Sequence, residues 1–214
     1  MGAMLWEAVL QTLYMTLVST LLAEVIGIPI GISLVVTDAQ GIKPNPAYNK
    51  VMGFIVNVIR SVPFLILMIA LMPYVRKIIG TGIGTSATVF ILVIAAAPFV
   101  ARLVESSIKE IDKGVIEAAQ SMGASNMTII TKVMLAEAKP SLIVGGAVAT
   151  ITILGYSAMA GIVGGGGLGD LAIKYGLYRY ETAIMWITVI LLVVIVQILQ
   201  EIFAKVAQKV DNRI

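Results

Sequence analysis

Cysteine and histidine are absent from this chain of 214 residues, and charged residues are scarce, at 13%. The two absences exclude disulfides, thiol nucleophiles, zinc sites with the usual ligands and histidine-based acid–base chemistry. Hydrophobic residues make up 59% of the chain, whereas soluble proteins carry about 45–50%. A soluble domain has nowhere to bury so much apolar surface. The composition therefore predicts an integral membrane protein, and we expect neither a metal site nor a nucleic-acid partner.

Five apolar segments approach or exceed the length of about 20 residues that a helix needs to cross a bilayer. They cover approximately residues 10–36, 51–72, 87–104, 141–163 and 182–203. No basic region or small-residue cleavage site accompanies the first segment, so we expect it to be retained and not removed as a signal peptide. The sequence predicts an all-α fold in which residues 1–214 form one transmembrane domain of about five helices.

Lysine and arginine residues are divided unequally between the two sides that five spans define. One side holds ten of them and the other holds four, while Arg60 lies within the second span. Because basic residues accumulate on the cytoplasmic side of a membrane, we expect the C-terminus in the cytoplasm and the N-terminus outside. The ten are Lys43, Lys50, Arg102, Lys109, Lys113, Lys132, Lys139, Lys205, Lys209 and Arg213, and the four are Arg76, Lys77, Lys174 and Arg179.

The longest segment outside the spans, residues 103–139, has the pattern of two short amphipathic helices. Asp112 is placed to cap the first helix, and Gly123 is placed to end it in a left-handed conformation. Ser125 is placed to cap the second helix. Two interpretations fit the apolar faces: they dock a partner protein, or they pack against the chain's own membrane helices. These faces carry Val115, Ile116, Ala119 and Met122 on the first helix and Met127, Ile130, Val133 and Met134 on the second.

The stretch Glu117–Pro140 resembles the cytoplasmic signature of ATP-binding-cassette importer permeases, in which E-A-A is followed by three residues and a glycine. Leu135-Ala136 stands where the signature usually has Leu-Pro. The segments IRSVPFLILM, AAAPFVARLVE and LGYSAMAGIVGGGGLG are similar to the methionine-importer permeases in particular. The signature positions that match in register are Glu117, Ala118, Ala119, Gly123 and Val133.

The resemblance implies a type I permease subunit that moves methionine, both D- and L-, across a bacterial cytoplasmic (inner) membrane. It implies a homodimer in membrane lipid, two copies of a P-loop ATPase on the cytoplasmic side and an external methionine-binding lipoprotein. ATP would bind to the ATPase, since this chain has no G-x-x-x-x-G-K-[ST] motif. The chain is therefore expected to hold no cofactor and to be no enzyme by itself. The residues expected to contact the ATPase are Glu117, Ala118, Ala119, Met122 and Gly123.

Two groups of residues are candidates for the substrate path or its gate. Arg60 lies in an apolar run near Pro63; it either lines the path or stabilises a broken helix by binding the carbonyl that Pro63 leaves free. Tyr156, Ser157 and Met159 lie in the outer half of the fourth span. The resemblance implies that Met159 contributes to a gate or a substrate contact. The alternative for this second group is ordinary helix packing.

The segment GIVGGGGLGD contains the spacing G-x-G-x-x-G, which is typical of dinucleotide-binding loops when it lies between a strand and a helix. Here a spanning helix precedes it, and the charge distribution places it outside the cell. We therefore expect an external hinge at which the backbone turns sharply. Its residues are Gly164, Gly165, Gly166, Gly167 and Gly169. Gly27 and Gly31 in the first span are predicted to let helices approach closely.

Other functions stay open at this level. A permease for another amino acid would share the loop signature, and a membrane assembly protein would need no transport path. An intramembrane carboxylate at Glu24 either pairs with Arg60 or serves proton coupling, which is typical of an ion-coupled secondary transporter. That class usually shows internal repeats of spans, and no convincing repeat is found in this sequence.

Overall fold

The computed structural model of the chain describes residues 2–210, and all secondary structure within that range is helical. The predicted all-α fold is therefore confirmed. Arg213, one of the ten basic residues counted above, lies outside the described range. The α-helices are α1 Gly2–Val36, α2 Pro46–Ser61, α3 Phe64–Ile79, α4 Thr85–Lys109, α5 Lys113–Ser121, α6 Asn126–Thr128, α7 Leu135–Glu137, α8 Lys139–Ala160, α9 Gly167–Leu171 and α10 Thr182–Val210. Two π-helical segments, Ile129–Met134 and Ala172–Leu177, and a 3₁₀ turn, Gly161–Val163, lie between them.

Four helical segments within residues 2–210 are long and apolar enough to cross a membrane, and the pair α2–α3 gives a fifth if it serves as one span. The helices extend past the predicted spans: α1 begins at Gly2 and α10 ends at Val210. They continue because polar residues can sustain a helix where hydropathy falls. Gln11 donates a hydrogen bond to Glu7 one turn earlier, and Lys205 forms an ion pair with Glu201 in the same way.

The second predicted span, residues 51–72, is divided by a sharp bend. α2 ends at Ser61, α3 begins at Phe64, and the two helices are bent by 103°. Val62 is extended, with φ −85° and ψ 125°, because the ring of Pro63 disfavours a helical conformation in the residue before it. The bend therefore follows from one proline inside an otherwise apolar run.

α1 packs closely along α4, and this pair forms the centre of the protein. A Cβ at Gly27 would lie 2.7 Å from the Cβ of Val100, and a Cβ at Gly31 would lie 2.5 Å from the carbonyl oxygen of Ala101. The prediction that Gly27 and Gly31 permit a close helix contact is therefore confirmed.

The helices place two sets of connections at opposite ends of the bundle. We call residues 37–45 and 110–138 the coupling end, because they include the E-A-A segment. We call residues 80–84 and 161–169 the glycine end, where the backbone N–H of Gly84 donates to the carbonyl of Gly164 at 3.1 Å. The candidate functional residues are distributed between these two ends.

Candidate functional site

The coupling end begins with a helix that is capped as the sequence predicts. Asp112 Oδ1 accepts a hydrogen bond from the N–H of Gly114 at 2.6 Å. Gly123 follows the helix with φ +77°, a left-handed conformation that suits glycine. Ser125 Oγ then accepts from the N–H of Thr128 at 3.2 Å and begins the next helical segment. These local signals confirm the first predicted helix and the start of the second, which continues as the π-helical segment Ile129–Met134 and α7.

The apolar face predicted for α5 is divided between the interior and the surface. Ala119 is buried and packs in the main hydrophobic cluster, with Ile116 partly buried against it. Val115 and Met122 instead point outward, and the side chain of Met122 is 81% exposed. The reason is that a short helix lying on the bundle can bury only its inner side. Packing against the bundle therefore applies to the inner side of this helix, and the docking of a partner on its outer side stays a prediction.

An exposed apolar surface results at the coupling end, formed by Ala118 and Met122, which lie one helical turn apart, with Glu117 beside them. The side chain of Met127 is 67% exposed although the next helical segment buries Met134 fully. Methionine side chains adapt their shape readily, which makes them common on surfaces that bind other proteins. The surface is thus suited to receiving a partner, with Ala119 holding the helix that carries it.

The coupling end also contains an ion-pair network that the sequence does not predict. Lys109 Nζ lies 3.1 Å from Asp38 Oδ2 and 2.9 Å from Glu105 Oε1. Arg102 also pairs with Glu105 and donates hydrogen bonds to the carbonyl of Gly53 at 3.2 Å and to the side chain of Asn57 at 2.8 Å, both on α2. The network therefore joins α4 to α2 and to the loop after α1.

The charge of Lys109 affects the titration of Asp38. Because its ammonium donates a hydrogen bond to the carboxylate, the pKa of Asp38 is lowered below its ordinary value. In the sequence, the charge of Arg102 near the end of an apolar run is the one feature that indicates such a network. It does not identify the partners on α2, because they are distant along the chain.

The glycine end is a tightly packed turn. Gly164, Gly166 and Gly167 have φ values of +77°, +86° and +79°. A Cβ at Gly169 would lie 2.1 Å from the carbonyl oxygen of Ala158, so only glycine permits α9 to pass so close to α8. No strand precedes the turn within the described residues, which removes the context that a dinucleotide-binding loop requires.

The turn is also bonded to the start of α1. Gln11 Oε1 accepts from the N–H of Gly167 at 2.8 Å, and Thr12 Oγ1 accepts from the N–H of Leu168 at 2.9 Å. These two backbone donors are thus already satisfied by side chains of the protein itself. The remaining glycine of the predicted hinge, Gly165, has no room for a side chain, since a Cβ would lie 2.7 Å from Thr88 Oγ1.

The candidate path residues occupy different environments. The ring of Tyr156 stacks on that of Phe64, with centroids 4.4 Å apart, directly after the bend at Pro63. Ser157 is buried and donates its hydroxyl hydrogen to the carbonyl of Leu154 at 2.7 Å. Met159 is 48% exposed on the outward side of α8. Tyr156 therefore lies beside the bend between α2 and α3, whereas Ser157 is buried and reaches no open surface.

Arg60 is exposed at the end of α2, and it has neither a hydrogen bond nor an ion pair among residues 2–210. The expected bond from Arg60 to a carbonyl freed by Pro63 is therefore not formed. Nor does Arg60 pair with Glu24, whose carboxylate lies against α8 instead: a Cβ at Gly146 would be 2.9 Å from Glu24 Oε1. Both predicted pairings of Arg60 are therefore wrong, because its side chain is exposed and Glu24 lies beside α8.

The chain is similar to known proteins in family, sequence and structure. Residues 27–209 match the family described as binding-protein-dependent transport system inner membrane component. The chain is 48% identical to the probable D-methionine transport system permease protein MetI of Vibrio cholerae, over 98% of this chain and 93% of that protein. It is 44% identical to the methionine import system permease protein MetP of Bacillus subtilis, over 98% of this chain and 94% of that protein. A chain of the MetNI methionine ABC transporter, solved in inward-facing conformations, is 40% identical, with a TM-score of 0.96 and coverage of 99% of this chain and 100% of that one.

Proposed function

Since this chain belongs to the family of binding-protein-dependent transport system inner membrane components, we propose that it is the membrane-spanning subunit of an ATP-driven methionine importer. The observation that carries the proposal is the similarity to methionine permeases over almost the whole chain. The agreement in fold with the permease of a methionine transporter supports it independently. The chain acts as a transport subunit, and ATP hydrolysis belongs to a separate ATPase chain.

The exposed surface at the coupling end is the proposed contact with that ATPase. Ala118 lets a partner approach the backbone of α5, Met122 offers an adaptable apolar side chain, and Glu117 borders them. Ala119 supports the contact from below because it is packed in the bundle. Gly123 ends the helix so that the following segment can turn back. Two copies of the ATPase, one on each permease copy, complete the proposed cytoplasmic assembly.

A second copy of the chain is the proposed partner within the membrane. The bent pair α2–α3 exposes large apolar side chains, among them Phe54 and Ile66, and α8 exposes Val148 and Met159. The pathway would run between two such surfaces, with Met159 at its gate and Arg60 near the bend. The proposed orientation places the glycine end outside, where a methionine-binding lipoprotein would deliver the substrate.

Force from the ATPase would reach the membrane through continuous contacts. α5 packs on the segment Ile129–Met134, which continues through α7 into α8. At the other end of α8, the ring of Tyr156 rests on Phe64 of α3. A displacement of α5 would therefore tilt α8 and α3 together. Shifting the transporter from 1:99 to 99:1 between two packings takes about 5.5 kcal/mol of differential binding, which two ATP molecules can supply.

Reconstitution into vesicles tests this function. The chain is combined with its ATPase and binding protein, and uptake of labelled methionine is measured with each component omitted in turn. We expect uptake only with all components and ATP present, and competition by unlabelled methionine but not by arginine or glutamine. Uptake driven by an ion gradient without the ATPase would establish a secondary transporter instead. Preference for a different amino acid would establish the related permease class.

The gate is tested by Met159→Ala, with Ile190→Ala as the control, since Ile190 is exposed on α10 and lies outside the proposed pathway surfaces. We expect the Met159 variant to change the relative uptake of methionine and its analogues, and the Ile190 variant to behave as wild type. Equal selectivity in all three proteins would argue for ordinary packing.

Because the chain lacks cysteine, single cysteines added near each terminus report the orientation through labelling with a membrane-impermeant thiol reagent.

A further inference from the structure

A cavity of about 290 Å³ lies between α1, α4, α8 and α10, toward the coupling end of the bundle. Its walls are mostly aliphatic and aromatic, with Ile28, Leu142 and Phe203 among them. Two charged side chains also line it, Glu24 from α1 and Lys139 from the first turn of α8. The transport mechanism proposed above uses neither of these two charges.

Both charges lack a hydrogen-bond or ion-pair partner within residues 2–210, where Glu24 is partly buried and Lys139 is exposed. The Glu24 carboxylate extends across the cavity toward the backbone of Gly146. An unpaired carboxylate within a spanning helix is costly, and such residues usually face a cavity that holds their partner. A ligand that brings a cation to Glu24 and an anion to Lys139 would satisfy both.

The open side of the cavity is bordered by exposed apolar side chains. Ile202 and Val206 of α10 line the cavity and are 53% and 43% exposed, so the cavity is open beside them. On the other side, α1 presents exposed Val25 next to Glu24. Such a border suits a ligand that carries apolar chains.

We propose that this cavity binds an aminophospholipid, with its ammonium at Glu24, its phosphate at Lys139 and its acyl chains on the exposed side of α10. Gly146, opposite Glu24, follows Lys139 by seven residues, which is about 10 Å along a helix. The ethanolamine headgroup spans part of this distance, and the flexible lysine stem covers the remainder. A phospholipid without an ammonium would leave Glu24 unpaired. This proposal goes beyond methionine transport and does not depend on it.

Native mass spectrometry of the purified full-length chain tests the proposal, with lipids that share acyl chains and differ in headgroup. Phosphatidylethanolamine is compared with phosphatidylcholine, whose ammonium carries no N–H, and with phosphatidylglycerol, which has no ammonium. We expect phosphatidylethanolamine to bind about tenfold more tightly than the other two, since a hydrogen bond between charged groups contributes that much. Equal binding of the three lipids would overturn the proposal.

Variants then assign the two charges. Glu24→Gln should abolish the preference for phosphatidylethanolamine over phosphatidylcholine, while Glu7→Gln, which removes a carboxylate from α1 outside the cavity, should preserve it. Lys139→Gln should weaken all three lipids, and Lys139→Arg should restore them. A monodisperse elution profile and an unchanged melting temperature establish that each variant is folded.

Two further results would contradict the assignment. One is tighter binding of phosphatidylethanolamine than of phosphatidylcholine that persists in both Glu24→Gln and Lys139→Gln. The other is binding of free methionine that displaces the lipid and requires Glu24, which would make the cavity an amino-acid site. Because the readout is lipid retention by the purified chain, a failure here leaves the uptake experiment unaffected, and a failure of methionine uptake leaves this measurement valid.

Discussion

Replacing Gly123 by valine tests whether the left-handed end of α5 positions the surface that contacts the ATPase. Gly123 has φ +77°, and no atom lies within 4 Å of the position a Cβ would occupy. Valine therefore meets no neighbour in this chain, and its cost is conformational. An L-residue in a left-handed conformation costs about 1–2 kcal/mol, and a β-branched residue is the least suited to it.

The valine variant relaxes by unwinding the last turn of α5, which displaces Met122. Docking then requires that the turn be rebuilt, so the cost appears as weaker binding of the ATPase. A cost of one or two kcal/mol corresponds to a factor of about 5–30 in affinity. We expect this loss for Gly123→Val in a titration of the permease with purified ATPase, and a parallel loss of methionine-stimulated ATP hydrolysis.

Gly123→Asn is the matched control, because asparagine adopts the left-handed conformation more readily than other residues with a Cβ. It should retain most of the affinity and of the stimulated hydrolysis. Both variants should remain folded, and the valine variant should lower the melting temperature by only a few degrees, because 1 kcal/mol corresponds to about 2–4 °C in a chain of this length. A valine variant with unchanged affinity and unchanged stimulation would refute the proposed role of this turn.

Three further predictions concern packing and charge. Gly31→Ala should lower the free energy of unfolding in detergent by about 1–3 kcal/mol, seen as a lower melting temperature, because the added methyl group forces α1 away from α4. Gly155→Ala should leave the melting temperature unchanged, because nothing lies within 4 Å of its Cβ position. Equal melting temperatures of the two variants would count against the close contact between α1 and α4. Asp38→Asn should lower the free energy of unfolding by at most about 1 kcal/mol, because the Asp38–Lys109 pair is exposed. This difference between wild type and variant should be present above the unfolded pKa of Asp38, about 3.9, and should disappear as the pH falls through the lowered pKa of Asp38 in the folded protein. A difference that persists at still lower pH would exclude the ion pair as its source. A double-mutant cycle with Phe64→Leu and Tyr156→Leu should give a coupling of about 0.5–1.5 kcal/mol in thermal unfolding, and a coupling of zero would show that the stacked rings contribute nothing.

The parts of the structure that depend on local signals were predictable. Asp112 and Ser125 accept hydrogen bonds from residues two or three positions later, so the sequence contains both partners of each cap. Gly123 ends α5 for an equally local reason. Four of the five predicted spans coincide with helical segments long and apolar enough to cross a membrane, because every backbone group inside a bilayer has to be satisfied within a helix.

Features that depend on distant residues were not predictable. Residues 51–72 are mostly apolar, and a proline there is compatible with a slight kink as well as with the 103° bend that the structure has. The network at the coupling end joins Asp38 to Lys109 and Arg102 to Asn57, pairs separated by 71 and 45 positions. The predicted pairings of Arg60 with Glu24 and with a free carbonyl were wrong for the same reason, since only the path of α2 in the fold decides which groups lie near Arg60.

The bonds between α1 and the glycine turn have a consequence for how the protein is made. Gln11 and Thr12 accept from backbone groups 156 positions later in the chain. The first helix therefore enters the membrane long before the residues that complete its bonding have been synthesised. Closing so long a loop is slow and has to follow the insertion of the intervening helices. The junction between α1 and the glycine turn can thus form only after α8 has been synthesised, and a nascent chain released before Gly167 could not make it at all.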